Sequence, residues 1–218
     1  MNGLQEKMLS RITADFQVLA KVVLRQQGNI QQLFEDNDND ILYAEISNDE
    51  HIIDSLEVKI RNEVINTIVL YSPRATNLRM IVSYYDMTAY LERIGDLMLN
   101  IAQFIQKTDL KDEIFLVYKP IFFKMLTLAG NMTQNAIFAF TCADIQLARE
   151  TIEMDNEVDQ LHHDICDSLC SQFSGRTLTG QNMTDILSVN GISYNMERIG
   201  DNATNIAEAA IYLVEGKN

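Results

Sequence analysis

An internal repeat limits the fold of this chain more than any other feature. Leu91-Glu92-Arg93-Ile94-Gly95-Asp96 returns as Met196-Glu197-Arg198-Ile199-Gly200-Asp201. Asn100-Ile101-Ala102 returns as Asn205-Ile206-Ala207, and in both cases the offset is 105 residues. Eight of the fifteen positions in 91–105 match their counterparts in 196–210. Self-similarity at a fixed offset marks a supersecondary unit used twice. The fold therefore has to divide into two like halves, with the expected boundary between 108 and 109.

Within each half the hydrophobic period is helical. Met8, Ile12, Phe16, Leu19 and Val23 recur at steps of three and four. Ile41, Ile46, Ile53, Leu56, Ile60, Val64 and Ile68 continue such a stripe after Asn37-Asp38-Asn39-Asp40, a polar patch suited to capping. Ser72-Pro73 ends it, with Ser72 expected to cap and Pro73 suited to a first helical turn. Leu78, Ile81, Leu91, Ile94, Met98 and Ile101 mark a third helix over about 75–107, and Thr108–Lys111 reads as a linker. The second half repeats the plan over 112–140, 144–173 and 181–214. Pro120 is expected to kink the fourth helix or delay its start. Ser174–Thr177 reads as a turn, and Gly216 stands just past the last helix. No alternating strand pattern occurs. The expectation is six helices, several near 30 residues and so about 45 Å long, a length suited to extended bundles.

The charge excludes one class of partner. Seventeen Lys and Arg against 31 Asp and Glu leave a net charge of −14. Such a chain lacks the basic footprint that nucleic-acid phosphates require and suits cations or basic surfaces. Cys142, Cys166 and Cys170 form no CxxC pair, so neither a disulfide framework nor a thiolate zinc site is expected. They read as small buried apolar side chains in a reducing cytoplasm. No apolar run has membrane-spanning length, and Met1–Lys7 lacks the pattern of a signal peptide.

The repeat also places its acids. The same offset carries Glu50 onto Asp155 and Asp54 onto Asp159. Each half thus holds one acid-x-x-x-Asp pair on its second helix and one Glu-x-x-x-Asp pair on its third. Residues four apart share a helix face, so two such helices can converge four carboxylates: Glu50, Asp54, Glu92 and Asp96, then Asp155, Asp159, Glu197 and Asp201. Without a cation these charges repel, and burying them unpaired costs several kcal/mol per ion. Arg93 and Arg198 stand beside the motifs and can neutralise part of the charge. Oxygen donors suit hard or borderline cations, and metal identity among magnesium, manganese, iron and zinc stays open. Asn100 and Asn205, one turn after each Asp, are candidate extra ligands or hydrogen-bond partners. His162, three residues after Asp159, is a further candidate, although its counterpart is Glu57. His51 is expected on another, solvated face. Gly95 and Gly200, costing roughly 1 kcal/mol each inside a helix, point to close approach of a neighbouring helix. No HExxH, phosphate loop or GxSxG elbow occurs.

Two halves that each close on ERIGD and Asn-Ile-Ala resemble the PhoU family of phosphate-uptake regulators. Ser72-Pro73-Arg74-Ala75-Thr76-Asn77-Leu78-Arg79 looks like that family's QP-x-A-x-DLR segment, with Asn77 in place of Asp. Leu97 and Asn202 stand where the family often has His. The resemblance implies an all-α fold of two similar antiparallel three-helix bundles in tandem. It implies metal clusters, often of iron, on the eight acids above. It also implies a non-enzymatic repressor of phosphate-starvation signalling, acting through contacts with a sensor histidine kinase and the ATPase of a phosphate transporter. A sodium–phosphate symporter is the alternative partner, and a carboxylate-bridged metalloenzyme the alternative function. A cytoplasmic homodimer, reaching the membrane through its partners, completes the expectation.

Overall fold

The structure is a computed structural model that describes residues 3–74 and 76–216. It contains six helices: α1 (Gly3–Leu33), α2 (Asp40–Tyr71), α3 (Thr76–Gln106), α4 (Glu113–Cys142), α5 (Ile145–Phe173) and α6 (Gly180–Glu215). Among the described residues there is no strand. Expectations concerning Met1, Asn2, Ala75 and residues 217–218 lie outside the described residues.

The helices start where side chains can satisfy their free N–H groups. Asn39 accepts from the Leu42 amide and caps α2; Asp144 accepts from the Leu147 amide and caps α5. The two caps and the two amides are each one repeat offset apart. Asp112 caps α4, and Thr179 and Asn182 form a reciprocal capping box on α6. Gly216 ends α6 in the left-handed conformation at φ +68°. Ser72 caps the helix before it rather than the one after. It sits at φ +42° and its amide bonds Ile68 O, so Pro73 lies in the connection outside α3. Pro120 neither delays nor interrupts α4, which runs unbroken from Glu113. Pro120 lies on an exposed face of the helix, and so does Leu116, whose carbonyl loses its partner.

α1, α2 and α3 pack on one another, as do α4, α5 and α6, so each half is a three-helix bundle. Ile12, Phe16, Leu19 and Val23 are fully buried, as are Ile46, Ile53 and Ile60. Ile41 and Leu78 leave the expected stripes and are exposed, since each lies in the first turn of its helix at a bundle end. The cysteines also depart from expectation: Cys142 and Cys170 are exposed and Cys166 is half-buried. On α5 the core positions are Val158, Ile165 and Leu169, one step away from both Cys166 and Cys170.

The bundles join through two antiparallel helix pairs, α1 with α4 and α3 with α6. Phe34 clusters with Phe115, Phe122 and Phe123 near one end of the first pair, and Phe16 and Tyr84 with Phe140 near the other. Glycines set the closest approaches. A Cβ on Gly130 would lie 1.4 Å from Gln27 Nε2, and one on Gly191 would lie 2.4 Å from Phe104 Cζ. Gln27 and Phe104 therefore fill notches that any side chain at these glycines would close.

Candidate metal centre

In the second half, α5 presents Asp155 and Asp159 and α6 presents Glu197 and Asp201. Asp155, Asp159 and Asp201 each bring a carboxylate oxygen within 4.8 Å of the other two. Among the described residues this is the one group of three or more potential metal ligands drawn so close. Glu197 feels all three charges. Burial first, then Asp201, pushes its carboxyl up to about 7, against which Arg198 works. Burial likewise raises Asp155 to about 6, with Asp159 and Asp201 adding to the shift. Asp159 is raised by burial and by Asp201. Arg198 donates to Asp201 at one edge of the cluster.

The first half repeats the theme with a looser arrangement. Glu50 is 6 % exposed, and burial, together with Asp96 and Asp54, pushes its carboxyl up to about 7. Glu92 is raised by burial and by Asp96, Glu57 and Asp54. Arg93 donates to Asp96 at 3.4 Å. Two further groups enter here. Gln26 on α1 donates its Nε2 proton to Glu50 Oε2 at 3.1 Å, and Glu57 adds charge beside Glu92. Glu57 was visible as the counterpart of His162. Gln26 had no signal, because α1 carries no motif and only tertiary packing brings it to the site.

The glycine of each ERIGD motif lies directly under an acid of the neighbouring helix. A Cβ on Gly95 would come within 3.2 Å of Glu50 Oε2, and one on Gly200 within 2.9 Å of Asp155 Oδ1. These residues, Glu50 and Asp155, are repeat counterparts. The close approach expected at Gly200 is thus made by a carboxylate over bare backbone, and at Gly95 the Glu50 carboxylate shares that space with Ile53, whose Cδ1 would lie 2.9 Å from the added Cβ. Glu50 Oε1, Asp155 Oδ1 and Glu197 Oε2 are buried and accept no hydrogen bond.

The remaining candidates lie as follows. Ser193 donates its hydroxyl to Asn190 O at 3.1 Å, so it receives the Nδ1 proton of His162 at 3.0 Å. That leaves the Nε2 lone pair of His162 facing Cys166 Sγ at 3.7 Å, and His162 is outside the converging trio. Burial lowers its pKa and Asp159 partly restores it. Asn205 lines a groove between the two halves, and Asn100 is half-buried on α3. His51 is exposed on α2.

Carboxylate oxygens without donors, held at raised pKa by burial and mutual repulsion, are of the type that suits a hard cation. The residues fit magnesium, manganese or iron, and fit zinc less well, since nitrogen and sulfur donors are absent from the trio. No described helix is long and apolar enough to cross a membrane.

A model of the PhoU domain matches the chain twice, over residues 16–105 and 122–210, and the ends of the two matches are one repeat offset apart. A protein of Aquifex aeolicus named a phosphate-specific transport system accessory protein PhoU homolog is 32 % identical over 180 residues, covering 81 % of this chain and 77 % of that one. One of the same name from Clostridium acetobutylicum is 28 % identical over 213 residues, covering 97 % and 94 %. The fold is similar to the crystal structure of PhoU from Pseudomonas aeruginosa, with a TM-score of 0.85 at 23 % identity over 97 % of this chain and 99 % of that one. It is also similar to that of the phosphate transport system regulatory protein PhoU from Streptococcus pneumoniae, with a TM-score of 0.86 at 20 % identity over 98 % of each chain. With both halves matched, the chain belongs to the PhoU family, a family of regulatory accessory proteins and not of enzymes.

Proposed function

We propose that this protein is a non-enzymatic regulator of phosphate uptake and of phosphate-starvation signalling, and that it binds metal at the two carboxylate clusters. Membership of a family whose members are named accessory proteins of phosphate-specific transport supports the first part. The doubled acid array over a glycine, with an orphaned buried oxygen in each half, supports the second. The metal ligands are Glu50, Asp54, Glu92 and Asp96 in residues 1–108, and Asp155, Asp159, Glu197 and Asp201 in 109–218. A bound divalent ion, manganese, magnesium or iron, would offset the repulsion among these acids and pin α2 to α3 and α5 to α6.

The mechanism is contact. The helical faces engage a phosphate transporter, through its ATPase subunit or as a symporter, and a sensor histidine kinase, so the protein works in the cytoplasm and meets the membrane through its partners. A homodimer is supported by the outer face of α2, where Val58, Ile65 and Val69 are exposed at steps of seven and four. Deleting the chain from its host tests the regulatory reading. Phosphate uptake and phosphate-scavenging gene expression should rise in phosphate-rich medium, and unchanged values would overturn it. Elemental analysis of wild-type protein beside the double variant Glu92→Ala, Glu197→Ala tests the metal. Metal lost from the variant with repression intact would remove metal from the mechanism.

A further inference from the structure

The pairing of α3 with α6 carries a site that the repeat itself makes visible. Because the two helices are antiparallel counterparts, each crossing contact should occur twice. Phe104 of α3 fills the notch at Gly191 of α6. One repeat offset converts Phe104 to Ala209 and Gly191 to Asp86. At that second crossing the knob is missing and the notch carries an acid. Both residues line a groove of about 680 Å³ between α3, α5 and α6, a size suited to a bound group. The groove lies where the repeat is broken.

Its walls define the occupant. Val82, Ile152 and Ile211 are apolar; Tyr90 and Tyr212 offer aromatic rings; Asp86 and Glu208 supply negative charge. Burial raises the Asp86 carboxyl, and of the nearby cations Arg61 opposes that shift. Arg61, however, is engaged by Glu57 and by the Tyr85 hydroxyl. At the rim the chain's own Arg79 lies over the Tyr212 ring, its guanidinium carbon 5.6 Å from the centroid, so a guanidinium is already accepted at that ring. An apolar stem ending in a planar cation matches apolar walls, aromatic faces and carboxylates together.

We propose that this groove receives an arginine side chain from a basic segment of a partner protein. The inference rests on the contact mechanism above only in taking the partner to be a protein. It is tested by binding alone, so a failure of phosphate regulation leaves it standing, and its own failure leaves that regulation untouched.

The probe is an acetylated, amidated peptide of alternating leucine and arginine, titrated by calorimetry into the full-length protein at physiological ionic strength, where the Debye length is about 8 Å and diffuse attraction to an acidic surface is weakened. Replacing arginine by neutral, isosteric citrulline should weaken binding by about tenfold or more. Ala209→Phe, which supplies the missing knob without changing charge, should do the same, and so should Asp86→Asn, which leaves the cavity open. Circular dichroism melting shows whether each variant is folded, and Asp86→Asn carries the test if Ala209→Phe is not. Absence of binding to wild type would overturn the proposal. Binding unchanged by both substitutions in folded protein would place the peptide elsewhere and overturn it too. Spermidine binding as tightly, and displacing the peptide, would make the site one for free polyamines and overturn the protein partner.

Discussion

Gly95 and Gly200 occupy the same place in the repeated motif, yet alanine should affect them differently. A Cβ on Gly200 meets Asp155 Oδ1 at 2.9 Å, with the next atoms, from Met132 and Val158, at 3.6 Å. The intrusion is about half an ångström into ordinary contact and falls on the end of a side chain that can rotate away. Against it stands the helix-propensity gain of roughly 1 kcal/mol for Gly→Ala. The folding stability of Gly200→Ala in chelator-treated protein should therefore stay within about 1 kcal/mol of wild type. Rotating Asp155 away breaks up the trio, so manganese affinity should fall about tenfold, equivalent to about 1.4 kcal/mol. A Cβ on Gly95 instead meets fully buried Ile53 Cδ1 at 2.9 Å and its Cγ2 at 3.3 Å. Overpacking a core costs about 1–3 kcal/mol, so Gly95→Ala should lose about 0–2 kcal/mol net of the propensity gain. Urea unfolding and manganese titration on both variants read the two quantities. If Gly200→Ala binds manganese like wild type, the glycine is not making room for a ligand. A Gly95→Ala protein more stable than wild type would mean that Ile53 yields freely.

The buried acids set the sign of a pH effect. Glu50 and Glu197 at about 7 and Asp155 at about 6 lie above their unfolded values, so between about pH 4 and 7 the folded state holds more protons and stability falls as pH rises. Chelator-treated protein should therefore melt higher at pH 5.5 than at 7.5, with each acid contributing on the order of 1 kcal/mol after allowance for solvent, and saturating manganese should narrow the difference. Arg25 makes a forked ion pair with Asp49, whose side chain is 3 % exposed. Arg25→Ala strands that charge and should lower stability by about 1–3 kcal/mol in urea unfolding. Phe104→Ala empties the Gly191 notch from a half-buried position and should cost about 2 kcal/mol, below the range for a fully buried phenylalanine. A loss under about 0.5 kcal/mol would show that this notch adds little to holding the halves together.

The helices were legible because their apolar stripes are long and because the polar patch at Asn37–Asp40 and Gly216 mark ends, residues with a local physical reason to be there. Where reading failed, local chemistry was ambiguous. Ser72 suits either helix end, and only the left-handed φ assigns it to α2. Proline inside α4 is tolerated because the side of the helix that loses a hydrogen bond faces water. Ile41 departs from its expected place because a stripe read from sequence does not say how far the neighbouring helices extend over it, and Cys166 and Cys170 because residue type alone does not put them on the buried stripe of α5, one step away. The eight acids were singled out by the repeat alone, since one acid pair on one helix is an ordinary solvated face; the structure draws Asp155, Asp159 and Asp201 of them closest together. The supporting Gln26 was not, because nothing along α1 relates it to the motif.

Repetition carries information in two directions. Where both halves keep the same residues, as at Gly95 and Gly200 under Glu50 and Asp155, one packing problem has been solved twice. A purely solvated acid would not need the bare backbone kept under Asp155 at a cost to helix stability, and at Gly95 the same gap admits both Glu50 and Ile53. Where the halves differ at positions that face each other across the seam, the difference concerns the assembled molecule. Phe104 in the notch at Gly191 closes one crossing; Ala209 opposite Asp86 opens the other. A chain selected only to hold its halves together would gain by closing both, since a phenylalanine in a glycine notch buries apolar surface at each. The open crossing forgoes that stabilisation and places there an exposed acid whose carboxyl partial burial raises. Two losses of stability at one place, each reversible by a single substitution, are what a binding site adds to a scaffold.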